Sequence, residues 1–335
     1  MKIRMSIVAG LALVLLFGGT VSADTRKVGG TSMNFLTIDV SARAMGMGSA
    51  FSAQTDVGAN ALFWNLGSMV FVKHAAATFT HTEWLADVRH EAFGIVTSNG
   101  ERAFGLSAVI LRSPEMIRRT VIPADPTNGD AFRFTDAAVG IAYAKRLTDV
   151  FSLGGQVKFL NESAGEFSAS ALALDIGAMY TTDVRGFRIG AVLRNFGNDL
   201  KYLPKDLDEY ESKTGIKADV EEKKGLLWEL PLTFRIGAAL EPIDLEVGKL
   251  TTAVDIWKTP DQEAIYSLGA EYWLNDYIGV RGGWKAGYEK EDTEGVSYGG
   301  SIRFGQAGKE FAVDYALTDF DIFDAVHRVT VGVQF

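Results

Sequence analysis

The feature that most constrains this chain is a two-residue alternation of apolar and polar side chains, recurring from Met69 to the C-terminus in segments of about ten residues. In 186–196, Phe187, Ile189, Ala191 and Leu193 share one face, while Arg188, Gly190 and Arg194 share the other. In 230–240, Leu232, Phe234 and Ile236 oppose Thr233, Arg235 and Gly237; in 277–287, Ile278, Val280 and Trp284 oppose Gly279, Arg281 and Lys285. Successive residues of a strand point to opposite faces, so the pattern predicts strands with one apolar and one polar side. A soluble sandwich and a membrane barrel both satisfy that, and the connections decide between them. Strands are expected at 69–80, 90–98, 102–112, 135–145, 150–161, 168–181, 186–196, 230–240, 250–258, 264–274, 277–287, 295–305, 309–318 and 326–335, roughly fourteen, an even number as in bacterial barrels. The connections 98–101, 147–149, 182–185, 275–276 and 306–308 are tight turns that follow even-numbered strands, with 241–249 slightly longer. Each odd-numbered strand is followed by something longer, notably 113–134, 198–229, 286–295 and 319–325. Short periplasmic turns facing long outer loops characterise transmembrane barrels, and a sandwich has no reason to sort its loops by parity. The expected fold is all-β, a transmembrane antiparallel barrel in the outer membrane.

Ahead of the strands, 35–70 suits neither a helix nor a strand. Gly46, Gly48 and Gly58 break helix propensity, and Ala42, Ala44, Ala50, Ala53, Ala59 and Ala61 let backbone pack closely in a confined space, as a plug in a barrel lumen must. Turning the apolar face of each strand to lipid leaves Lys158, Asp175, Arg188, Arg194, Arg235, Asp255, Glu271, Arg281, Arg303, Asp314 and Arg328 inside. Buried charge needs partners, which favours an ion-pair lattice joined by Asp39, Arg43 and Asp56 of the plug over an open polar conduit.

The ends and the composition narrow the rest. Residues 1–23 read as a secretory signal, with Lys2 and Arg4, an apolar core from Ile7 to Phe17, and Val21-Ser22-Ala23 before the cut. The expected division is therefore signal 1–23, N-terminal segment and plug 24–68, and barrel 69–335. No later stretch approaches ~20 apolar residues, so no helical span is expected. The chain has no cysteine, hence no disulfide and no lipoprotein anchor. Its net charge of −9, or −11 once Lys2 and Arg4 are removed, argues against nucleic acid as a partner. His81, Glu83, Asp87 and His90 lie close in sequence, yet without a helical His pair they read as a solvated loop and not as a metal site. No Ser/His spacing singles out a catalytic triad, and Gly46-x-Gly48 lacks the third glycine of a dinucleotide fingerprint. Neither enzymatic activity, metal nor cofactor is expected. Trp84, Trp257, Trp273, Tyr272, Tyr277, Tyr180 and Trp284 near strand ends are either interfacial girdle residues or simply good β-formers. The last strand alternates, with Val329, Val331 and Val333 outward, and ends on Phe335, resembling the C-terminal signal recognised by the barrel-assembly machinery.

The run Arg43, Ala44, Gly46, Gly48, Ala50, Phe51, then Asp56, Trp64 and Asn65, resembles the N-terminal signature of the PorV/PorQ family, a branch of the FadL-like barrel group. Leu66-Gly67 departs from the Pro-Ala-Gly that usually follows the Asn there, so the turn at that point is expected to be built differently. Further segments are similar in matching order: 81–87 (HTEWLAD), 151–159 (FSLGGQVKF), 173–180, 195–197, 230–235, 269–272 and 280–283. The resemblance implies a plugged, non-enzymatic barrel. It also implies an accessory role in protein export of the type IX kind, with a secretion translocon or secreted cargo as partner; the alternative is a FadL-type passive channel for hydrophobic small molecules. In the loop 113–134, Met116 and Ile117 beside Arg118 and Arg119 mark either a partner-docking surface or a loop packed on its own rim.

Overall fold

The structure, a computed structural model, describes residues 29–118, 131–184, 186–206, 212, 227–245, 248–261, 263–287, 295–320 and 323–335. The expected signal segment lies outside them. Fourteen antiparallel strands close into a barrel. They are β1 (Ala75–Glu83), β2 (Arg89–Ser98), β3 (Arg102–Arg112), β4 (Phe134–Arg146), β5 (Phe151–Ala164), β6 (Phe167–Thr181), β7 (Phe187–Gly197), β8 (Thr233–Leu245), β9 (Gly248–Lys258), β10 (Ile265–Leu274), β11 (Ile278–Gly287), β12 (Val296–Gln306), β13 (Lys309–Phe320) and β14 (Phe323–Gln334). Each pairs with its neighbours in sequence, and β1 closes the ring on β14 from Ala76 opposite Gln334 to Glu83 opposite His327. Closure leaves no unpaired sheet edge, the condition for crossing a bilayer with strands.

The outside of the barrel is built for hydrocarbon. One rung of directly paired residues reads Val331, Phe79, Phe93, Ala108, Val139, Phe159 and Leu172 across β14 and β1 to β6. Phe104, Ile141 and Leu172 are 60%, 68% and 58% exposed, an apolar surface that water would not tolerate and lipid covers. Among the described residues no helix is long and apolar enough to cross a membrane; the strands do so.

The strand alternation is reproduced, with differences that have physical causes. The first strand starts at Ala75, not Met69, because Leu66–Phe71 is a 3-10 helix within the lumen. Met69, Val70 and Val72 are apolar because the interior buries them. Not every outer connection is long: β5 and β6 are joined by Gly165 and Glu166 alone, with Gly165 at φ 57°, and β13 and β14 by residues 321–322. These hairpins simply carry the pairing past the expected loop starts, so Ala164 faces Phe167 and Phe320 faces Phe323. Likewise 241–249 is mostly strand, with residues 246–247 between β8 and β9. Trp257 and Trp273 are lumenal, not girdle residues, whereas Tyr180, Tyr277 and Trp284 face outward. His81 and Glu83 belong to β1 and His90 to β2, so they are not a solvated loop; His90 is fully buried on the lumen side.

Candidate functional site

The candidate site is the lumen and the segment that fills it. Residues 34–72 run through the barrel as short turns, with one-turn helices at Ala42–Met45 and Ala61–Trp64 and 3-10 turns at Asn34–Thr37, Gly58–Asn60 and Leu66–Phe71. Their close fit depends on small residues on both sides. A Cβ at Gly154 would stand 2.6 Å from the carbonyl carbon of Leu66, and one at Gly67 would stand 2.9 Å from the backbone nitrogen of Met179. The turn after Trp64 uses the side chain of Asn65. Its Oδ1 accepts from Gly67 N at 3.0 Å, and its Nδ2 donates to Ser52 O at 2.8 Å and to Ala178 O at 2.9 Å. With Leu66-Gly67 following it, Asn65 thus caps the 3-10 turn Leu66–Phe71.

The lumen is two-sided. The wall from β7 to β14 is charged and grips the plug. Arg43 forks onto Glu271, Nε to Oε2 at 2.8 Å and Nη2 to Oε1 at 2.6 Å, the bidentate geometry that makes arginine–carboxylate pairs strong. Glu271 also takes Arg281, with Nε 3.1 Å from Oε2, and the indole N–H of Trp273 at 2.7 Å. Arg281 continues to Asp314 at 3.2 Å. Asp56 is held by Arg303 at 2.9 Å and lies 3.7 Å from Arg43. Deeper in the plug, Arg235 donates to Asp39 at 3.1 Å and to Ser49 O at 3.1 Å, and lies 3.8 Å from Asp255. Its guanidinium sits 4.6 Å from the Trp64 ring and 5.0 Å from Trp257, while the Trp64 indole donates to Val40 O at 2.7 Å. Asp255 accepts from Phe51 N and Ser52 N at 3.2 and 3.0 Å. Asp175 pairs with Lys158 at 2.8 Å and accepts from Asn195 N at 2.8 Å.

The expected plug residues Asp39, Arg43, Trp64 and Asn65 and the wall residues Asp175, Arg235, Glu271 and Arg281 are thus buried in this interior, whereas Asp56 is half exposed beside Arg43 and Arg303. The lattice joins plug to wall through Arg43, Asp39 and Asp56; Asp175 instead ties β6 to β5 and β7. Arg188 adds a contact that sequence alone did not expose, donating to Gln54 Oε1 at 2.9 Å and to Thr55.

The wall from β2 to β4 is different. Its lumenal positions are Ala92, Gly94 and Val96 on β2, Ala103, Gly105, Ser107, Val109 and Leu111 on β3, and Ala138, Gly140, Ala142 and Ala144 on β4, with the buried His90 and Asp136 flanking Leu111 at the outer end. Against it lie Leu62, Phe63, Met69 and Val70 of the plug, buried in one cluster with Ala92, Val96, Ala103, Ala142 and Ala144. Toward the outer end a second apolar cluster gathers Met33, Phe35 and Leu36 with Leu111, Ala138, Leu160, Leu200 and Leu230. A void of about 20 Å³ lies between the two, lined by Phe35, Leu36, Leu62 and Phe63 of the plug and, on the barrel side, by polar groups that include Gln156, Lys158 and Asp175. The runs of small residues at alternate positions were the sequence signal for this wall.

At the outer end, Glu162 accepts from Met33 N at 3.1 Å and from the Tyr202 hydroxyl, which fastens the N-terminal segment and the β7–β8 connection to β5. In the expected docking loop, Met116 and Ile117 pair with Phe132 and Ala131. Ile117 is 52% exposed, and Arg118 lies 3.5 Å from Glu166. Arg119 is outside the described residues. Among the described residues no group of His, Cys, Asp and Glu could hold a metal.

No protein-family model matches the chain, and no curated protein matches it. Solved structures do. The CymD monoaromatic hydrocarbon channel is similar over 89% of this chain and 98% of its own, at 11% identity and a TM-score of 0.59. The toluene transporter TodX of Pseudomonas putida is similar over 88% and 96%, at 12% identity and 0.56. A FadL homologue of Pseudomonas aeruginosa is similar over 87% and 97%, at 12% identity and 0.54. The fold is therefore that of FadL-like outer-membrane barrels.

Proposed function

We propose that the protein is a passive outer-membrane channel for small hydrophobic molecules, without catalytic activity. The apolar wall of β2 to β4 carries this reading. It runs from Leu111 and Ala138 near the outer end to Ala103 and Ala144 near the periplasmic end, and the plug residues that face it are themselves apolar. A hydrocarbon moving along that wall exchanges apolar contacts for apolar contacts, whereas the opposite wall is locked in ion pairs. Solved barrels of this fold described as a hydrocarbon channel and a toluene transporter support the same reading. Passage requires the side chains of Phe35, Leu36, Leu62 and Phe63 to move, since they pack the interval between the two clusters. The test is accumulation of radiolabelled toluene and oleate by cells that lack their own uptake channel. Expression of the protein is expected to raise accumulation of at least one of them, and Ala142→Asp, which sets an unpaired carboxylate in the apolar wall, to abolish the rise without loss of the folded barrel. No accumulation of either compound above an empty vector would overturn the proposal.

The ordered PorV/PorQ-like motifs support a second reading, an accessory barrel in protein export. Under it, Met116→Asp with Ile117→Asp is expected to abolish co-purification of a translocon or cargo protein from native membranes while leaving toluene and oleate accumulation unchanged.

A further inference from the structure

The outward face of the barrel carries a cleft at its outer rim that neither reading uses. At the ends of β2 and β3, Glu83, Arg89, Arg112 and Thr135 are direct partners across β1 to β4, in an outward-facing rung at the end opposite Ala75 and Gln334. Arg89 lies four residues along β2 from Phe93, in the apolar rung, or about 14 Å at ~3.4 Å per residue. For strands tilted about 40° this is roughly 10 Å of depth, and the outward rung in between, His81 opposite Glu91, is already polar, so the two guanidiniums lie at the headgroup end of the strands.

Like charges placed directly opposite across a strand pair destabilise the sheet. Arg89 and Arg112 are such a pair, and among the described residues neither makes an ion pair or side-chain hydrogen bond. Of the nearby acids, Glu91 lies 3.5 Å from His81 and Glu115 pairs with Arg133 at 3.4 Å, while Glu83, directly opposite Arg89 on β1, and Asp87 form no ion pair with either arginine among the described residues. Between the strand ends and the segment Ser113–Glu115 the surface forms a cleft of about 400 Å³, lined by Arg89, Arg112 and Arg133, by the acids Asp87, Glu91 and Glu115, and by Ile110 one rung toward the membrane.

We propose that this cleft binds the phosphate of a lipid headgroup in the outer leaflet, gripped by Arg89 and Arg112, with Ile110 meeting the start of the lipid's apolar part. Two adjacent guanidinium forks suit a phosphate's several acceptor oxygens, and an anion between them removes the repulsion that the strand register imposes. The carboxylate of Asp87, which lines the same cleft, suits an amine or a divalent cation carried with such a headgroup.

The experiment uses the full chain, exchanged into detergent, incubated with vesicles of phosphatidylcholine containing lipid A, and examined by native mass spectrometry. Wild-type protein is expected to retain lipid A, and Arg89→Glu with Arg112→Glu to retain at least about tenfold less, as expected for losing two charge-assisted contacts. Arg89→Lys with Arg112→Lys is expected to keep part of the retention. If the charge-reversed protein does not give the folded, heat-modifiable form, Arg89→Gln with Arg112→Gln serves in its place. Equal retention of lipid A by wild type and the folded variant overturns the proposal. So does its release from wild type by millimolar inorganic phosphate alone, which would make the cleft a site for a free anion.

Discussion

Glu271 is the residue on which the charged wall converges. It receives two guanidiniums and an indole N–H, whereas Arg43 is one of its two cationic partners. Removing Arg43 leaves Glu271 paired with Arg281; removing Glu271 leaves two buried guanidiniums side by side, Arg43 with only the half-exposed Asp56 at 3.7 Å and Arg281 with only Asp314 at 3.2 Å. Arg43→Ala is therefore expected to cost about 3 kcal/mol and Glu271→Gln more, within the range for breaking a buried pair. Urea titration of the folded barrel in detergent checks the order, and a greater loss for Arg43→Ala would show that Glu271 is not the hub. The residues of this lattice were legible in sequence because strand parity and the cost of buried charge put them inside. Their partners were not, since pairing Arg43 with Glu271 depends on where a non-repetitive plug runs. His90 shows the limit of reading by neighbourhood: proximity to His81 in sequence grouped two residues that the alternation turns to opposite faces of the wall.

At the scale of elements, the plug decides whether the barrel is a pore. With residues 35–72 deleted, the ring of fourteen strands keeps every backbone pair, but the lumen loses its filling. The deletion is expected to insert into planar bilayers and conduct ions, where the intact protein is silent. Silence of both would show that something other than this segment closes the lumen. Gly154→Val tests the seat without removing the plug: its side chain would collide with Leu66, so the plug must shift and partial conductance is expected. Strands from 90 onward could be read from alternation because lipid and lumen impose opposite demands on successive residues. The start of β1 could not: Met69, Val70 and Val72 are apolar in the lumen for the same reason that strand residues are apolar toward lipid, and composition does not tell the two surroundings apart. The turn at Gly165 and the late pair Phe320–Phe323 escaped for a related reason, since strand pairing continues beyond the membrane where the alternation no longer has two solvents to satisfy.

For the whole molecule, an apolar belt around a closed ring predicts fractionation with the outer membrane and faster migration unheated than boiled in detergent gels; recovery in the soluble periplasmic fraction would contradict the barrel's surface. The seam between β1 and β14 has a further consequence, for biogenesis. The plug precedes β1 with only Lys73 and His74 after its last buried residue, Val72, while β14 is the last strand made. A ring cannot be filled through its own wall once sealed, so the order of elements along the chain doubles as a packing schedule: contents first, wall next, seal last. A permuted chain that placed the plug after β14 would hold the same contacts in its native state. It would nevertheless have to load its cargo through the mouth of a finished vessel, and slow or incomplete filling of such a permutant, seen as lingering conductance, is the kinetic signature expected of that schedule.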